Sequence, residues 1–345
     1  MGPIPAPGTE RSVEQRIAAR GERVHILTGA SCNNNCIFCM EEDRAERSAV
    51  NAKTTDEVVR FILGKSRGTE EVCFTSGEPT LNPRLAAWAR WARDAGVPRV
   101  SVMTNGRALA YEKLCRTLVV AGVNRFYVSI HGHEKRLHQA LTRTPGSFDQ
   151  AVAGLDNVAR LKGRGVELHT STVVTKQNLP YLAEIYRFLR GHGVDQVVFN
   201  VMQANGRAHT HFDAIFPRYT EVAARAKAFF DEVSREGGRA EAFLVDIPLC
   251  TTAGLPDFNR GYVEGYVHFE PEKSNSDLLA ADERAARRVE TGEGTGVLPV
   301  RRSDLDGVTR TKRAECSRCR YDGVCEGVWT NYLARHGWGE FVPVA

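Results

Sequence analysis

Short apolar stretches alternate with amphipathic ones through the middle of the chain. GTEEVCFTS is followed by PRLAAWARWARDAG, in which Leu85, Trp88, Ala89 and Ala92 share one helical face. The strand-like stretch RVSVMTNG comes next, and the same alternation then repeats. Three further pairs of helix and strand follow: YEKLCRTLVVAG with RFYVSIHG, FDQAVAGLDNVARLKG with VELHTSTVV, and LPYLAEIYRFLRGHG with DQVVFNVM. Each pair predicts a helix that returns the chain to a neighbouring parallel strand.

This alternation predicts an α/β fold with a parallel sheet and helices on its outer face. With ERVHILTG counted as the first strand, about six units are present, which is too few to close an eight-stranded barrel. We therefore expect a partial (β/α)6 TIM-like barrel with a small cysteine-rich C-terminal extension. The predicted division is an N-terminal extension over 1–23, the core over 24–205, and a C-terminal helix, loops and cysteine-rich region over 206–345.

Composition narrows the class of protein. The 345 residues are 42% hydrophobic and 26% charged, as in a soluble globular protein. The net charge of +4 argues neither for nor against a nucleic-acid partner, and we expect none. The N-terminus lacks the apolar core of a signal peptide, and no stretch is long enough to span a bilayer. We expect a cytoplasmic protein with no membrane partner. In a reducing compartment, the nine cysteines are better explained as metal ligands or buried residues than as disulfides.

Three of these cysteines directly follow the first predicted strand, in ASCNNNCIFCM. Cys32, Cys36 and Cys39 therefore lie at the carboxyl edge of the sheet, where such folds carry their chemistry. Three thiolates can hold a 4Fe-4S cluster and leave one iron without a protein ligand. A zinc knuckle is the alternative, although zinc sites normally pair Cys-x2-Cys units from two places.

The spacing Cys32-x3-Cys36-x2-Cys39, with Phe38 before the last cysteine, resembles the motif of the radical S-adenosylmethionine (radical SAM) enzymes. TSGEPTL resembles the family's GGEP motif, which receives the amino group of the methionine moiety, with serine in place of the first glycine. MTNG, VSIHG and STVVTKQN resemble segments that contact the nucleoside in related enzymes. The resemblance implies these cofactor-binding residues: Ser76, Gly77, Glu78, Thr104, Ser129, Ser171 and Asn178.

Structural roles remain open for several of these residues. Glu78 could be a carboxylate that stabilises a turn, and Thr104 and Asn105 a turn pair ahead of Gly106. His131 could be a histidine whose hydrogen bonds are satisfied by the local backbone. For Glu78 we expect the functional role.

The resemblance also implies a mechanism. A 4Fe-4S cluster binds S-adenosylmethionine through its open iron, and an electron from the cluster cleaves the cofactor to a 5'-deoxyadenosyl radical that abstracts hydrogen from a substrate. A reducing partner such as flavodoxin or ferredoxin would supply that electron. The protein would orient the substrate and exclude water. The net reaction would be oxidoreductase- or lyase-type radical chemistry, with no catalytic residue identified in the sequence.

A second group of cysteines lies near the C-terminus. Cys316, Cys319 and Cys325 are closely spaced, and Cys250 offers a fourth thiol from the end of the predicted strand RAEAFLVDIPL. Four soft ligands suit either zinc or an iron–sulfur cluster. The tail resembles the shortened SPASM or "twitch" extension of radical SAM enzymes, which implies a second, auxiliary 4Fe-4S cluster. The two remaining cysteines, Cys73 and Cys115, are expected in the core.

The sequence leaves the substrate open. Peptide maturases often carry a leader-binding domain ahead of the barrel, and about two dozen residues precede the first predicted strand. We therefore expect a small molecule of a biosynthetic or cofactor pathway, with ribosomal peptide or protein modification as the second hypothesis. A non-catalytic, zinc-stabilised binding protein is a third and more distant alternative.

Overall fold

The computed structural model describes residues 23–29, 31–40, 54–65, 69–202, 206–236, 241–255, 273–274, 310–323, 325 and 327–345. Within these residues, eight strands form one sheet in the order β7-β6-β5-β4-β3-β2-β1-β8, and every pairing in it is parallel. Its strands are β1 (Arg23–Leu27), β2 (Glu71–Thr75), β3 (Arg99–Thr104), β4 (Arg125–Ser129), β5 (Glu167–Val174), β6 (Gln196–Val201), β7 (Ala242–Val245) and β8 (Lys273–Ser274). This arrangement is an open, partial TIM-like barrel, as predicted.

Helices alternate with the strands of the sheet and continue into the C-terminal region. In chain order they are α1 (Asp56–Lys65), α2 (Leu85–Asp94), α3 (Glu112–Ala121), α4 (Lys135–Thr142), α5 (Ser147–Ala159), α6 (Leu182–Gly191), α7 (Gly206–Thr210), α8 (Phe212–Ile215), α9 (Tyr219–Arg235) and α10 (Thr330–His336). The predicted face of α2 is buried as expected, because its four apolar residues recur at helical spacing. Two short strands, β9 (Arg310–Thr311) and β10 (Val328–Trp329), form an antiparallel pair in the C-terminal region.

The two faces of the sheet differ in polarity. Val24, Val72, Val100 and Phe126 point toward the helices and are at most 1% exposed. Alternate residues point into the barrel, because side chains alternate across a strand. The inner face carries charged groups near the amino ends of the strands and half-buried neutral side chains near their carboxyl ends. The inner face at the carboxyl ends is therefore available for a ligand.

The structure extends the predicted fold in two places. Strand β7, which lies beyond the predicted core boundary at residue 205, pairs with β6 in the same sheet. Helix α4 precedes α5 in the connection between β4 and β5, where the sequence had indicated one helix. Much of the predicted C-terminal loops, over 256–272 and 275–309, lies outside the described residues. Cys73 and Cys115 are fully buried, as expected.

Candidate functional site

The loop after β1 carries the first three cysteines. Its backbone is held by α4, since the amides of Asn35 and Ile37 donate to the carbonyls of Thr142 and Leu141 at 3.1 and 2.9 Å. On the other side, the Ala208 amide at the start of α7 donates to the Cys39 carbonyl at 3.3 Å. The loop is thus fixed by two segments distant in sequence.

The three thiols face one another. Each of Cys32, Cys36 and Cys39 is partly buried. Burial, with the neighbouring Cys39 and Cys32, raises the pKa of Cys36 well above its usual range. The Asn34 amide lies 3.4 Å from the Cys32 sulfur, the kind of N–H···S contact that tunes iron–sulfur clusters. A positively charged metal centre would stabilise the thiolate forms of such neighbouring cysteines.

The segment that resembles the GGEP motif follows β2. Ser76 and Gly77 both have positive φ, at +73° and +56°. Serine therefore adopts the conformation that glycine would take without strain, at a cost of about 1–2 kcal/mol. The turn sets the Glu78 amide 2.8 Å from the Ser31 carbonyl, next to Cys32. The backbone of this turn is thus glycine-like, although serine stands where the motif has its first glycine.

The Glu78 carboxylate lies inside this turn and is 3% exposed. It accepts hydrogen bonds from the Thr104 hydroxyl at 2.6 Å, from the Asn105 amide at 2.7 Å, and from the amide and hydroxyl of Thr80. Burial raises the pKa of Glu78, against the opposing effect of these donors. Glu78 and Thr104 therefore join the loops after β2 and β3, which is the turn-stabilising role left open by the sequence.

Ser129 and Ser171 are opposite each other at the carboxyl ends of β4 and β5. Both are partly exposed, and within the described part of the chain neither hydroxyl has a hydrogen-bonding partner. Asn200 of β6, paired with Val173, faces the same space and was not identified from the sequence. The alternation in QVVFNV could have located it, since Asn200 is a polar residue on the inner face of a buried strand.

Asn178 has a different environment. Its side chain is fully buried, accepts from the Thr175 amide at 2.7 Å and donates to the carbonyls of His131 and Val173 at 3.0 and 2.8 Å. His131 accepts from the Val173 amide through Nδ1, and burial lowers its pKa well below the usual range. Asn178 and His131 thus connect the loops after β4 and β5, and the cofactor contact predicted for Asn178 remains a prediction.

The four C-terminal cysteines meet in one pocket. Cys250, just beyond β7, lines it together with Cys316, Cys319 and Cys325. Burial and the three neighbouring thiols raise the pKa of Cys250 to about 12. The amides of Gly327 and Val344 approach the sulfurs of Cys325 and Cys319 at 3.4 and 3.3 Å. Apolar side chains complete the wall, among them Val328, Trp338 and Phe341.

The C-terminal segment is also anchored independently of these thiols. Arg310 forms an ion pair with Asp246, just after β7. Tyr332 of α10 is fully buried and packs on Tyr219, with ring centroids 4.6 Å apart. Its hydroxyl donates to Glu340, which also accepts from the Thr220 hydroxyl at 2.6 Å. Aromatic packing and ion pairing therefore hold the tail against the barrel.

A buried ion network occupies the inner face at the amino ends of the strands. Glu71 pairs with Arg23 at 2.9 Å and with Arg125 at 2.8 Å, and accepts from the Ser101 hydroxyl at 2.6 Å. Burial opposes ionisation of Glu71, but the two guanidinium groups outweigh it and lower its pKa. Because each charge is paired, this network closes the floor of the barrel rather than leaving a free charge for a ligand.

Fold and site together define the class: an enzyme on a partial barrel whose first loop carries three thiols. Residues 26–189 match the family model described as Radical SAM superfamily. This stretch, just under half of the chain, is a Radical SAM domain by that match, and the superfamily implies a 4Fe-4S cluster and S-adenosylmethionine. No helix in the described residues is both long and apolar enough to cross a membrane.

Curated relatives match about half of this chain. An AdoMet-dependent heme synthase of Methanosarcina barkeri is 34% identical over 167 residues, 48% of this chain and 46% of that protein. A probable GTP 3',8-cyclase of Sulfurisphaera tokodaii is 31% identical over 177 residues, 51% of this chain and 54% of that protein. The chain spans about half the length of the curated relatives it matches.

Among solved structures, SuiB of Streptococcus suis bound to its precursor peptide SuiA aligns with a TM-score of 0.64. The alignment covers 95% of this chain and 76% of SuiB, at 15% identity. At that identity the likeness concerns the fold alone, and it includes the C-terminal region beyond the partial barrel.

Proposed function

We propose that the protein reductively cleaves S-adenosylmethionine at a 4Fe-4S cluster held by Cys32, Cys36 and Cys39, and uses the radical for hydrogen abstraction. The observation that carries this proposal is the meeting of the three thiols on the loop after β1. When bound, the cluster supplies the electron for cleavage. The fourth iron position, which has no thiolate from this loop, is where the cofactor would bind.

The protein's own residues would orient the cofactor. The turn at Ser76 and Gly77 presents backbone groups beside Cys32, and the buried contact from Glu78 to Thr104 holds that turn against the next loop. Ser129, Ser171 and Asn200 provide neutral polar groups on the inner wall. Hydrogen bonds from these groups would thus orient bound molecules at the carboxyl ends of the strands. The paired charges around Glu71 lie at the opposite, amino ends.

We also propose an auxiliary 4Fe-4S cluster on Cys250, Cys316, Cys319 and Cys325. Support comes from the shared pocket, the two N–H···S contacts and an apolar wall. Four thiolates would leave no iron open, so this cluster would carry electrons rather than bind substrate. Four thiolates also suit zinc, and metal analysis distinguishes zinc from the cluster.

For the substrate, we favour a small molecule. The matched relatives are named as a heme synthase and a GTP cyclase, and the upper inner wall of this barrel is neutral and polar. Peptide modification is the second candidate, because the fold neighbour SuiB is bound to a precursor peptide and its fold covers nearly the whole chain. A precursor-peptide gene beside this one would reverse that order.

Metal analysis tests the proposal directly. Protein prepared without oxygen should contain about eight irons and eight sulfides per chain, as expected for two cubane clusters. A zinc-stabilised binding protein would instead hold about two zinc ions and no sulfide. Measurement of iron, sulfide and zinc on the same sample distinguishes these outcomes, and a zinc-only result would contradict both proposed clusters.

The cofactor pocket can be tested through Glu78 and Thr104. Glu78→Ala leaves the Thr104 hydroxyl and the Asn105 amide without their buried acceptor, at about 1–3 kcal/mol per group, so the turn beside Cys32 should loosen. Thr104→Val removes one donor, and its effect should be smaller. Both variants should bind S-adenosylmethionine more weakly in equilibrium binding, with iron content nearly intact.

The surface variant Thr117→Val is the control, because the hydroxyl of this exposed residue donates to the carbonyl of Lys113 within α3. Unchanged affinity in both pocket variants would assign Glu78 and Thr104 a purely structural role.

A further inference from the structure

The three consecutive asparagines between Cys32 and Cys36 each accept a side-chain hydrogen bond. Asn33 Oδ1 accepts from Asn105 Nδ2 at 2.6 Å, and Asn34 Oδ1 accepts from Arg107 at 3.2 Å. Asn35 Oδ1 accepts from Arg207 Nη1 at 2.5 Å. Each asparagine of this run, which favours neither helix nor strand, thus has its own hydrogen-bond donor.

These partners come from two copies of one tetrapeptide. Asn-Gly-Arg-Ala occurs at residues 105–108, after β3, and again at 205–208, after β6. The glycine of each copy has positive φ, +77° at Gly106 and +55° at Gly206. Arg107, in the loop after β3, and Arg207, in α7, both donate to the asparagines of the cysteine loop.

Each arginine also contacts the loop backbone. Arg107 donates to the Asn33 carbonyl, and its Nε donates to Gln150 at 2.6 Å. Arg207 Nη1 donates to the Cys36 carbonyl at 3.0 Å. Cys36 lies between Cys32 and Cys39 in the three-thiol motif, so one guanidinium charge is fixed against the backbone of a cluster ligand.

We propose that Asn33, Asn34, Asn35, Asn105, Arg107 and Arg207 form an asparagine clamp that sets the spacing between Cys32 and Cys36, and that Arg207 raises the reduction potential of the cluster. This inference rests on the proposed role of the three cysteines as cluster ligands. The electron comes from an external one-electron reductase.

The physical reason is the charge of the reduced cluster. Reduction adds one negative charge, and a fixed cation in a partly buried position favours the more negative state. Both Arg207 contacts come from the same nitrogen, Nη1. Lysine could therefore keep the charge and donate to the same two oxygens, whereas methionine and glutamine remove the charge. Asn35→Ala removes one acceptor and keeps the charge.

The test uses the holoprotein and measures the midpoint potential of the cluster whose electron paramagnetic resonance signal changes when S-adenosylmethionine is added. In Arg207→Met the equilibrium constant for reduction should fall about tenfold, a shift of about 59 mV for one electron. Arg207→Gln is a second neutral variant and should shift the same way, while Arg207→Lys should retain the native potential. Arg116→Met, which loses an exposed ion pair with Glu112, is the matched control.

Iron release to a chelator tests the clamp separately. Asn35→Ala and Arg207→Met should release iron several-fold faster than Arg116→Met, and Asn35→Ala should retain the native potential. Equal potentials in both neutral variants and the control would overturn the role of the charge, and equal release rates would overturn the clamp. The proposed function fails on a different result, namely a signal responsive to S-adenosylmethionine that persists after loss of Cys32, Cys36 and Cys39.

Discussion

Replacement of Cys32, Cys36 and Cys39 by alanine should abolish formation of 5'-deoxyadenosine. These thiols are the proposed ligands of the cluster that supplies the electron, and no other cysteine of the described residues lines this loop. After chemical reconstitution, the variant should hold about four irons instead of about eight. Product analysis with a strong reductant and S-adenosylmethionine measures the activity, and iron and sulfide analysis the metal content.

The buried Cys115 provides the control, because its thiol contacts the Leu109 carbonyl at 3.1 Å and belongs to neither group of ligands. Cys115→Ala should keep both clusters and the native cleavage rate. If the triple variant still cleaves S-adenosylmethionine reductively, the loop after β1 does not carry the catalytic cluster.

The second large effect is expected from Cys316→Ala combined with Cys319→Ala. This variant should lose the auxiliary cluster and hold about four irons, because two of its four proposed ligands are gone. It should still cleave S-adenosylmethionine, yet release 5'-deoxyadenosine without normal product. The expected cause is loss of an electron carrier near the substrate.

Part of such a defect could be structural, because metal ligation and folding are coupled. The structure separates the two effects, since Tyr332 and the Arg310 ion pair with Asp246 anchor the tail without any cysteine. The variant should therefore retain the near-ultraviolet circular dichroism of its buried aromatic residues. Native product formation by this variant would show that the tail serves only as a structural clasp.

The local pattern of apolar and polar residues was sufficient to predict the partial barrel. Apolar strands separated by amphipathic helices indicate parallel pairing, and the observed strands follow one another in sequence order from β1 to β7. The short helix α4 was not predicted because only three of its eight residues, KRLHQALT, are apolar, so the segment is short and mostly polar. It nevertheless supplies the carbonyls of Leu141 and Thr142 that hold the cysteine loop.

The cysteine triplet and the strand ends could be located from the sequence because both depend on neighbours within a few residues. The grouping of Cys250 with Cys316, Cys319 and Cys325 was already implied by the resemblance of the tail. The buried Glu71 network and the two arginines on the asparagine loop depend on groups tens to more than a hundred residues apart. Spacing along a chain does not specify which distant side chains share a pocket, because that depends on how helices and strands pack. The sequence by itself thus determined the class of fold and the first ligand loop, while tertiary packing decided that Glu78 is enclosed by hydrogen bonds and that Asn200 faces the barrel interior.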